Sequence, residues 1–258
     1  MLEEKQADLA ERHRTEALFH DRKWAVRYSG PRHYGAHPTY PIFQRMMALL
    51  GEDLAGKRIL EYGCGLGWIT KEIARRGAQV FAFDISAEAV AKTRKSLEAA
   101  NLLDRCTVEV MGGEDLHYPD DSFDLVVGFA ILHHLDQERA LTELRRVLKP
   151  GGRALFAEPL ASNPVINLYR RLTPQYRTPD EAPLDLDVFS KQLRGFRRFE
   201  HHDQLLLASA AMALCYLPGL AGLAPPTQRW LMRVDDAIMR VAPRVGRWAW
   251  YSILVLQK

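Results

Sequence analysis

The sequence predicts a doubly wound α/β fold, in which helices cover both faces of a mostly parallel sheet. Residues 58–62 are predicted to form a strand that leads through a glycine-rich turn, 63–67, into a helix. A second apolar run, 79–83, ends at Asp84, and this order is typical of a nucleotide-binding half-fold. Residues 125–129 are continuously apolar, as expected of a central parallel strand that is buried on both faces.

Composition supports a soluble globular protein of one large domain, or one domain with an insertion. The chain has 258 residues, of which 47% are hydrophobic and 26% charged. Its net charge of +3 is too small to indicate a nucleic-acid partner. Three scattered cysteines form neither a disulfide framework nor a metal-ligand spacing, which favours a reducing cytoplasm. We expect no secretory signal in the charged residues 1–6, and no apolar run approaches the roughly 20 residues that span a bilayer.

The glycine spacing distinguishes between classes of nucleotide site. Gly63, Gly65 and Gly67 alternate with other residues, and Glu61 stands two positions before the first glycine. This pattern resembles motif I of the class I S-adenosylmethionine-dependent methyltransferases, and not the dinucleotide fingerprint. The resemblance implies that the loop passes under the methionine part of S-adenosylmethionine and that Asp84 binds the ribose. S-adenosylhomocysteine would then be the product.

The resemblance extends over about residues 57–159. A histidine pair after the fourth strand and the run 146–152 are characteristic of the same family. It implies a Rossmann-like methyltransferase fold with a mostly parallel, seven-stranded sheet, whose last two strands form a hairpin. The chain departs from the family at Gly112, where an adenine-binding aspartate is frequent. The predicted cofactor-binding residues are Glu61, Gly63, Cys64, Gly65, Gly67, Asp84, Ile85, Gly113, Glu114, Asp115 and Ala130.

Four segments are predicted around this fold. Residues 1–50 form an N-terminal helical cap, 51–203 the cofactor-binding core, 204–246 a helical lid insertion and 247–258 the last core strand. The apolar insertion is too long for a simple turn between two strands. It is interpreted as a lid over the substrate, with packing on the sheet or another subunit as an alternative. Because arginines are interspersed with its apolar residues, contact with a membrane surface is a third possibility.

Histidines are the candidate general bases. His133 and His134 follow the fourth strand, at the sheet edge where open α/β folds bind ligands. The same position also suits a histidine that caps the next helix or packs beneath the cofactor, and His201 and His202 are rival candidates. Adjacent histidines rarely point at the same ion, so no metal site is predicted. The predicted substrate-binding residues are Tyr28, Tyr34, His37, Glu158 and His201.

The sequence therefore predicts methyl transfer from S-adenosylmethionine to a small, largely apolar or amphipathic acceptor. Transfer to oxygen with a histidine base is favoured, and transfer to nitrogen or carbon is the alternative. A non-catalytic subunit that binds S-adenosylmethionine is a hypothesis of another class. A nucleic-acid substrate is disfavoured because no Asn/Asp-Pro-Pro-aromatic motif follows the fourth strand. The expected assembly is a monomer or homodimer.

Overall fold

The computed structural model describes residues 2–25, 39–178 and 181–258. In these residues seven strands form a single sheet in the order β3-β2-β1-β4-β5-β7-β6. The strands are β1 (Arg58–Tyr62), β2 (Gln79–Asp84), β3 (Cys106–Val110), β4 (Phe123–Phe129), β5 (Leu148–Pro159), β6 (Arg198–Gln204) and β7 (Tyr251–Gln257). β7 runs antiparallel to both of its neighbours, and the other pairings are parallel. The predicted mostly parallel sheet with a terminal hairpin is confirmed.

Helices cover both faces of this sheet. They are α1 (Leu2–Ala25), α2 (Tyr40–Leu50), α3 (Trp68–Arg75), α4 (Ala87–Glu98), α5 (Gln137–Val147), α6 (Pro164–Leu172), α7 (Leu186–Gln192) and α8 (Ala224–Val241). Along β1 and β4, successive apolar side chains enter different cores, with Ile59 and Val127 on one face and Leu60 and Val126 on the other. Because both faces are buried, the middle residues of the central strands are mostly apolar.

The chain order reverses between β1 and β4, which are neighbours in the sheet although β2 and β3 lie between them in sequence. Ligands of doubly wound folds bind outside the carboxyl ends of the strands at such a switch point. β1 ends at Tyr62 and β4 at Phe129, so the glycine loop and the segment with the histidine pair leave the sheet side by side. This topology positions the candidate site.

α1 lies across that edge of the sheet. Its Asp21 Oδ1 accepts hydrogen bonds from Ser86 Oγ, at 2.5 Å, and from the Glu88 amide, at 3.2 Å. Earlier on the helix, Arg12 Nη2 donates to the His134 carbonyl oxygen at 2.7 Å. α1 is therefore attached both at the amino end of α4 and at the segment that follows β4.

The segment between β6 and β7 is helical, as predicted, but it packs beside α2. It comprises α8 and three 3₁₀ helices, Ala208–Tyr216, Ala221–Leu223 and Pro243–Trp248. Arg45 of α2 forms a two-pronged ion pair with Asp236 of α8, with N–O distances of 2.9 and 2.6 Å. No helix in the described residues is both long and apolar enough to cross a membrane.

A further helix, α6, follows β5 along the chain. α6 begins at Pro164, and the Asn163 side chain accepts a hydrogen bond from the Ile166 amide at 3.0 Å. Asparagine at the cap followed by proline at the first position is a recognised start signal for a helix. The Asn163-Pro164 pair in the sequence therefore marks the start of this helix.

Candidate active site

A cavity of about 450 Å³ opens at the carboxyl ends of β1, β2 and β4, beneath α1. Its volume lies within the usual range of small-molecule sites. Apolar side chains line much of it: Phe19, Trp24, Phe83, Met111, Phe129, Ile131 and Leu135. The cavity therefore suits a ligand with both polar and apolar parts.

The glycine loop forms one wall of this cavity. Gly63 has a φ of +68° and Gly67 a φ of +71°, a left-handed conformation that favours glycine. A Cβ at Gly63 would come within 2.8 Å of Ile131 Cδ1, and one at Gly67 within 2.6 Å of Thr93 Cγ2. Gly63 lies on the cavity wall, whereas Gly67 supports the turn from behind, at the start of α3. Both the backbone conformation and the close packing therefore require glycine at these two positions.

Asp84 links the end of β2 to the glycine loop. Its Oδ2 accepts a hydrogen bond from the Gly65 amide at 2.8 Å, and Oδ1 accepts from the Ser86 amide at 2.9 Å. The carboxyl is buried, and burial raises its pKa although both amides oppose the shift. Asp84 therefore presents a buried acid to the cavity in a position fixed by main-chain donors.

Glu61 supplies a second buried acid at the end of β1. Thr70 Oγ1 donates a hydrogen bond to its Oε2 at 2.5 Å. Burial raises the pKa of Glu61 to about 8. Glu61 and Asp84 both line the cavity. Two acids in one desolvated wall suit a ligand that carries positive charge.

The predicted adenine region is only partly on the cavity wall. Gly113 and Glu114 line the cavity, as do Ile85 and Ala130. Glu114 is buried, and its Oε1 accepts from the Asp136 amide at 3.0 Å. Asp115, which was also predicted to bind the cofactor, is exposed and does not line the cavity. Cofactor binding by Asp115 therefore stays a prediction that this cavity does not support.

His133 is held by a buried carboxylate. Its Nδ1 lies 2.7 Å from Glu158 Oε2, and the other oxygen, Oε1, accepts from the amides of Ile131 and Leu132, both at 2.9 Å. Burial lowers the pKa of His133, and the Glu158 carboxylate acts in the opposite direction. Because Nδ1 faces a carboxylate, it carries the proton, and Nε2 is the nitrogen that can accept one.

Glu158 therefore does not contact substrate in the way that the sequence predicts. It is fully buried at the end of β5 and lies behind His133, outside the cavity lining. Its three polar contacts fix the segment that carries the histidine pair. Glu158 is a positioning residue.

His134 faces α1. Its Nδ1 lies 3.3 Å from Glu16 Oε2, and its ring packs edge-on against His20, with 5.2 Å between ring centres. Sequence reasoning missed the residues that α1 places on the cavity wall: Arg12, His13, Glu16, Phe19, His20, Lys23 and Trp24. They recur at three- and four-residue spacing, which places them on one helix face, and that periodicity was the available signal.

Other predicted residues lie elsewhere. Tyr28, Tyr34 and His37 fall outside the described residues. His201 is exposed on β6, pairs with Asp203 at 3.0 Å and does not line the cavity. Of the described residues that line the cavity, none comes from the segment 204–246. In the described residues this cavity is bordered by α1 and not by the insertion, so the predicted role of the insertion as a lid has no support from the cavity lining.

Comparison with known proteins points to one family. A family model described as "Methyltransferase domain" matches residues 60–156. The chain is 34% identical over 212 residues to a ubiquinone biosynthesis O-methyltransferase of Alkalilimnicola ehrlichii, and this match covers 80% of each chain. It is 36% identical over 121 residues to a ubiquinone/menaquinone biosynthesis C-methyltransferase of Geobacter sulfurreducens, covering 45% of this chain and 46% of that one.

The solved structures agree on the fold. A geranyl diphosphate C-methyltransferase from Streptomyces coelicolor matches with a TM-score of 0.61 and 14% identity, over 84% of this chain and 75% of that one. The chain spans about half the length of several of the curated relatives that it matches. The match to the Alkalilimnicola protein extends well beyond the glycine loop and the neighbouring strands.

Proposed function

This chain belongs to the class I S-adenosylmethionine-dependent methyltransferases, and from that premise we propose that it methylates a hydroxyl oxygen of a small, largely apolar or amphipathic acceptor. The observation that carries the proposal is His133 on the cavity wall, paired through its Nδ1 with the buried carboxylate of Glu158 behind it. A hydroxyl acceptor loses its proton as it is methylated, and this pair can take up that proton.

The cavity fits the family's cofactor, S-adenosylmethionine. The cofactor carries a sulfonium and an ammonium group, and the two buried acids Glu61 and Asp84 suit these positive charges. At Gly65 the loop has no side chain, and a Cβ there would reach within 3.6 Å of the Trp24 ring. Gly63, Gly65 and Asp84 would hold the cofactor with Ile85, Gly113 and Ala130. When bound, it supplies a methyl carbon activated by the adjacent sulfonium.

The protein's own part is to bind, align and exclude water. Methyl transfer requires the accepting atom and the methyl carbon to be in line, so a fixed geometry contributes much of the rate. The apolar side chains of the cavity and α1 above it keep water from the site. These features support an acceptor with a substantial apolar part.

His133 would act as the general base. Nε2 takes the acceptor's hydroxyl proton, while Nδ1–H remains hydrogen-bonded to Glu158. The negative charge of Glu158 then stabilises the imidazolium that forms. The lowered pKa keeps His133 neutral, and therefore able to accept a proton, near pH 7.

Two observations support oxygen over carbon as the accepting atom. A carbon or nitrogen acceptor places less demand on a base, whereas this site holds a histidine in a fixed tautomer. The Alkalilimnicola protein, which aligns over 80% of both chains, is named an O-methyltransferase. The C-methyltransferase of Geobacter sulfurreducens aligns over about half of both chains. Carbon methylation is the alternative outcome of the test below.

The test is a screen of hydroxylated aromatic and isoprenoid acceptors with ¹³C-methyl-labelled S-adenosylmethionine. The carbon chemical shift of the product separates a methoxy group from a methyl group on carbon or nitrogen. For an accepted substrate, we expect His133→Ala to lower kcat by about 10²- to 10⁴-fold and to leave the affinity for S-adenosylhomocysteine unchanged. His202→Ala, on the exposed edge strand, is the matched control.

Methylation at carbon, or full activity of His133→Ala, would contradict the proposal. So would loss of activity in His202→Ala. Cofactor binding without transfer to any acceptor would support the non-catalytic hypothesis instead.

A further inference from the structure

We propose that Glu16, His20 and His134 form a binding site for one divalent transition-metal ion. Glu16 and His20 lie one turn apart on α1, and His134 lies in the segment after β4. One ligand atom from each residue lies within 4.8 Å of the other two. The site would join the helix that covers the cavity to the sheet edge beneath it.

The spacing of the ligand atoms fits coordination. Glu16 Oε2 lies 3.3 Å from His134 Nδ1 and 3.4 Å from His20 Nε2. Two ligands held about 2.0–2.1 Å from a tetrahedral ion are roughly 3.3–3.4 Å apart. The imidazole atoms therefore already stand at the distance from the carboxylate that a shared ion requires.

The other histidine–glutamate contacts in the same cavity differ from these two. His13 Nε2 lies 2.9 Å from Glu114 Oε2, and His133 Nδ1 lies 2.7 Å from Glu158 Oε2, and both are hydrogen bonds. The contacts of Glu16 are longer, and neither oxygen of Glu16 has a hydrogen-bond partner among the described residues. A simple ion pair would be expected to close to hydrogen-bond distance, as the other two pairs do.

Buried polar atoms without partners give an independent indication. The Glu16 side chain is 5% exposed, and both of its oxygens and His134 Nδ1 are buried without a hydrogen-bond partner in the described residues. Unsatisfied buried polar groups are costly and rare in folded proteins. Glu16 Oε2 and His134 Nδ1 face each other at 3.3 Å, and an ion bound between them would satisfy both atoms.

The charges around the site favour a cation. Arg12 and Lys23 also line the cavity, but among the described residues the ion pairs of Glu16 are with the two imidazoles. Burial raises the pKa of Glu16, but His134, His20 and Thr178 together outweigh burial and hold it well below its usual range.

The donor set selects the class of ion. Two imidazole nitrogens and one carboxylate suit Zn²⁺, Fe²⁺ or Co²⁺, whereas Mg²⁺ and Ca²⁺ prefer oxygen ligands. Glu16, His20 and His134 all line the cavity, so the ion would border it. His133, His134 and Glu181 form a second group whose ligand atoms lie within 4.8 Å of one another. On the premise of the proposed function, Glu16, His20 and His134 would hold an ion beside the acceptor, and such an ion would supply Lewis-acid chemistry that lowers the pKa of a hydroxyl.

The first experiment is a titration of the full-length, metal-stripped protein with Co²⁺, followed by its d–d absorption, and with Zn²⁺, followed by calorimetry. We expect one ion per chain, with nitrogen-ligand bands in the Co²⁺ spectrum. Glu16→Gln and His20→Ala should each weaken binding by at least about 100-fold. His202→Ala, which removes an exposed histidine from β6, should bind as the wild type does.

A wild-type protein that binds neither ion would overturn the proposal, as would unchanged binding in His20→Ala. Loss of binding in His202→Ala would place the site elsewhere and have the same effect. Circular dichroism melts show whether each variant folds, and Glu16→Asp, which keeps the charge but shortens the reach, should restore part of the affinity lost in Glu16→Gln. Because S-adenosylhomocysteine affinity is measured separately, failure of cofactor binding and failure of metal binding give different results.

Discussion

The two walls of the cavity are built in different ways. The sheet-edge wall is fixed largely by main-chain groups: Asp84 accepts from the amides of Gly65 and Ser86, and Glu158 from those of Ile131 and Leu132. The α1 wall is attached mainly through side chains, as in the pairs of Asp21 with Ser86 and His13 with Glu114.

This difference indicates which wall is preorganised for ligand binding. Main-chain donors at the ends of buried strands move only if the sheet itself is disrupted, so the sheet-edge wall keeps its shape without ligand. Side-chain contacts between a polar helix and that edge cost less free energy to open, and elements with few buried apolar contacts open most easily. α1 is thus the wall that can admit a ligand, and the sheet edge is the wall that recognises it.

The largest effect is expected from the sheet-edge wall. Asp84→Ala removes the acceptor of two amide hydrogen bonds and the acid predicted to bind the ribose. We expect the affinity for S-adenosylhomocysteine to fall about 100-fold, or about 2.7 kcal/mol, by calorimetry. Asp104→Ala, at an exposed 3₁₀ turn, is the control. Less than threefold weakening in Asp84→Ala would show that this wall does not dominate recognition.

An intermediate effect, on kcat, is expected from Glu158, which lies behind the cavity wall. Glu158→Gln keeps the size of the side chain but removes the charge that raises the pKa of His133. We expect kcat to fall about 30-fold, or about 2 kcal/mol, because the imidazolium loses its partner. The base works only when unprotonated, so its activity falls as pH drops through the pKa of His133. That acid limb should move to lower pH in Glu158→Gln.

The pH profile of kcat, with saturating cofactor and acceptor, separates this role from a purely structural one. A lower kcat with an unmoved acid limb would mean that Glu158 only supports the segment. Unchanged S-adenosylhomocysteine affinity is the accompanying check that the sheet-edge wall is intact.

The smallest effect is expected from α1. Asp21→Ala removes the contacts of α1 with Ser86 and Glu88 but leaves the sheet edge unchanged. We expect S-adenosylhomocysteine to dissociate about fivefold faster, equivalent to about 1 kcal/mol, in stopped-flow measurements. Asp8→Ala, an exposed position on the same helix, should dissociate at the wild-type rate. An effect as large as that of Asp84→Ala would remove the distinction between the two walls.

The sequence predicted those parts of the fold and site whose structure depends on residues close together in the chain. The glycine loop, Asp84 and the apolar strands were predictable because backbone conformation and two-sided burial restrict residue types within a short stretch. The doubly wound fold followed from the order of these elements, whereas the seven strands and the terminal hairpin followed from the resemblance to the methyltransferase family. His133 was a candidate because its place after β4 follows from topology alone.

The rest depended on contacts between distant parts of the chain. Glu16 and His20 were not predicted as site residues because the surface on which α1 packs is set by contacts with residues 65 to 122 positions away. Glu158 was predicted to bind substrate because the sequence indicated where β5 ends but not the direction in which the Glu158 side chain points. The insertion was predicted as a lid, yet its Asp236 pairs with Arg45 of α2, a contact that sequence spacing does not reveal.

The position of α1 also orders events during synthesis. α1 is synthesised before its partners Ser86, Glu114 and His134, which follow the residues that contact them by 65 to 122 positions in the chain. The helix therefore has no docking surface until β1 to β4 have been made and have folded.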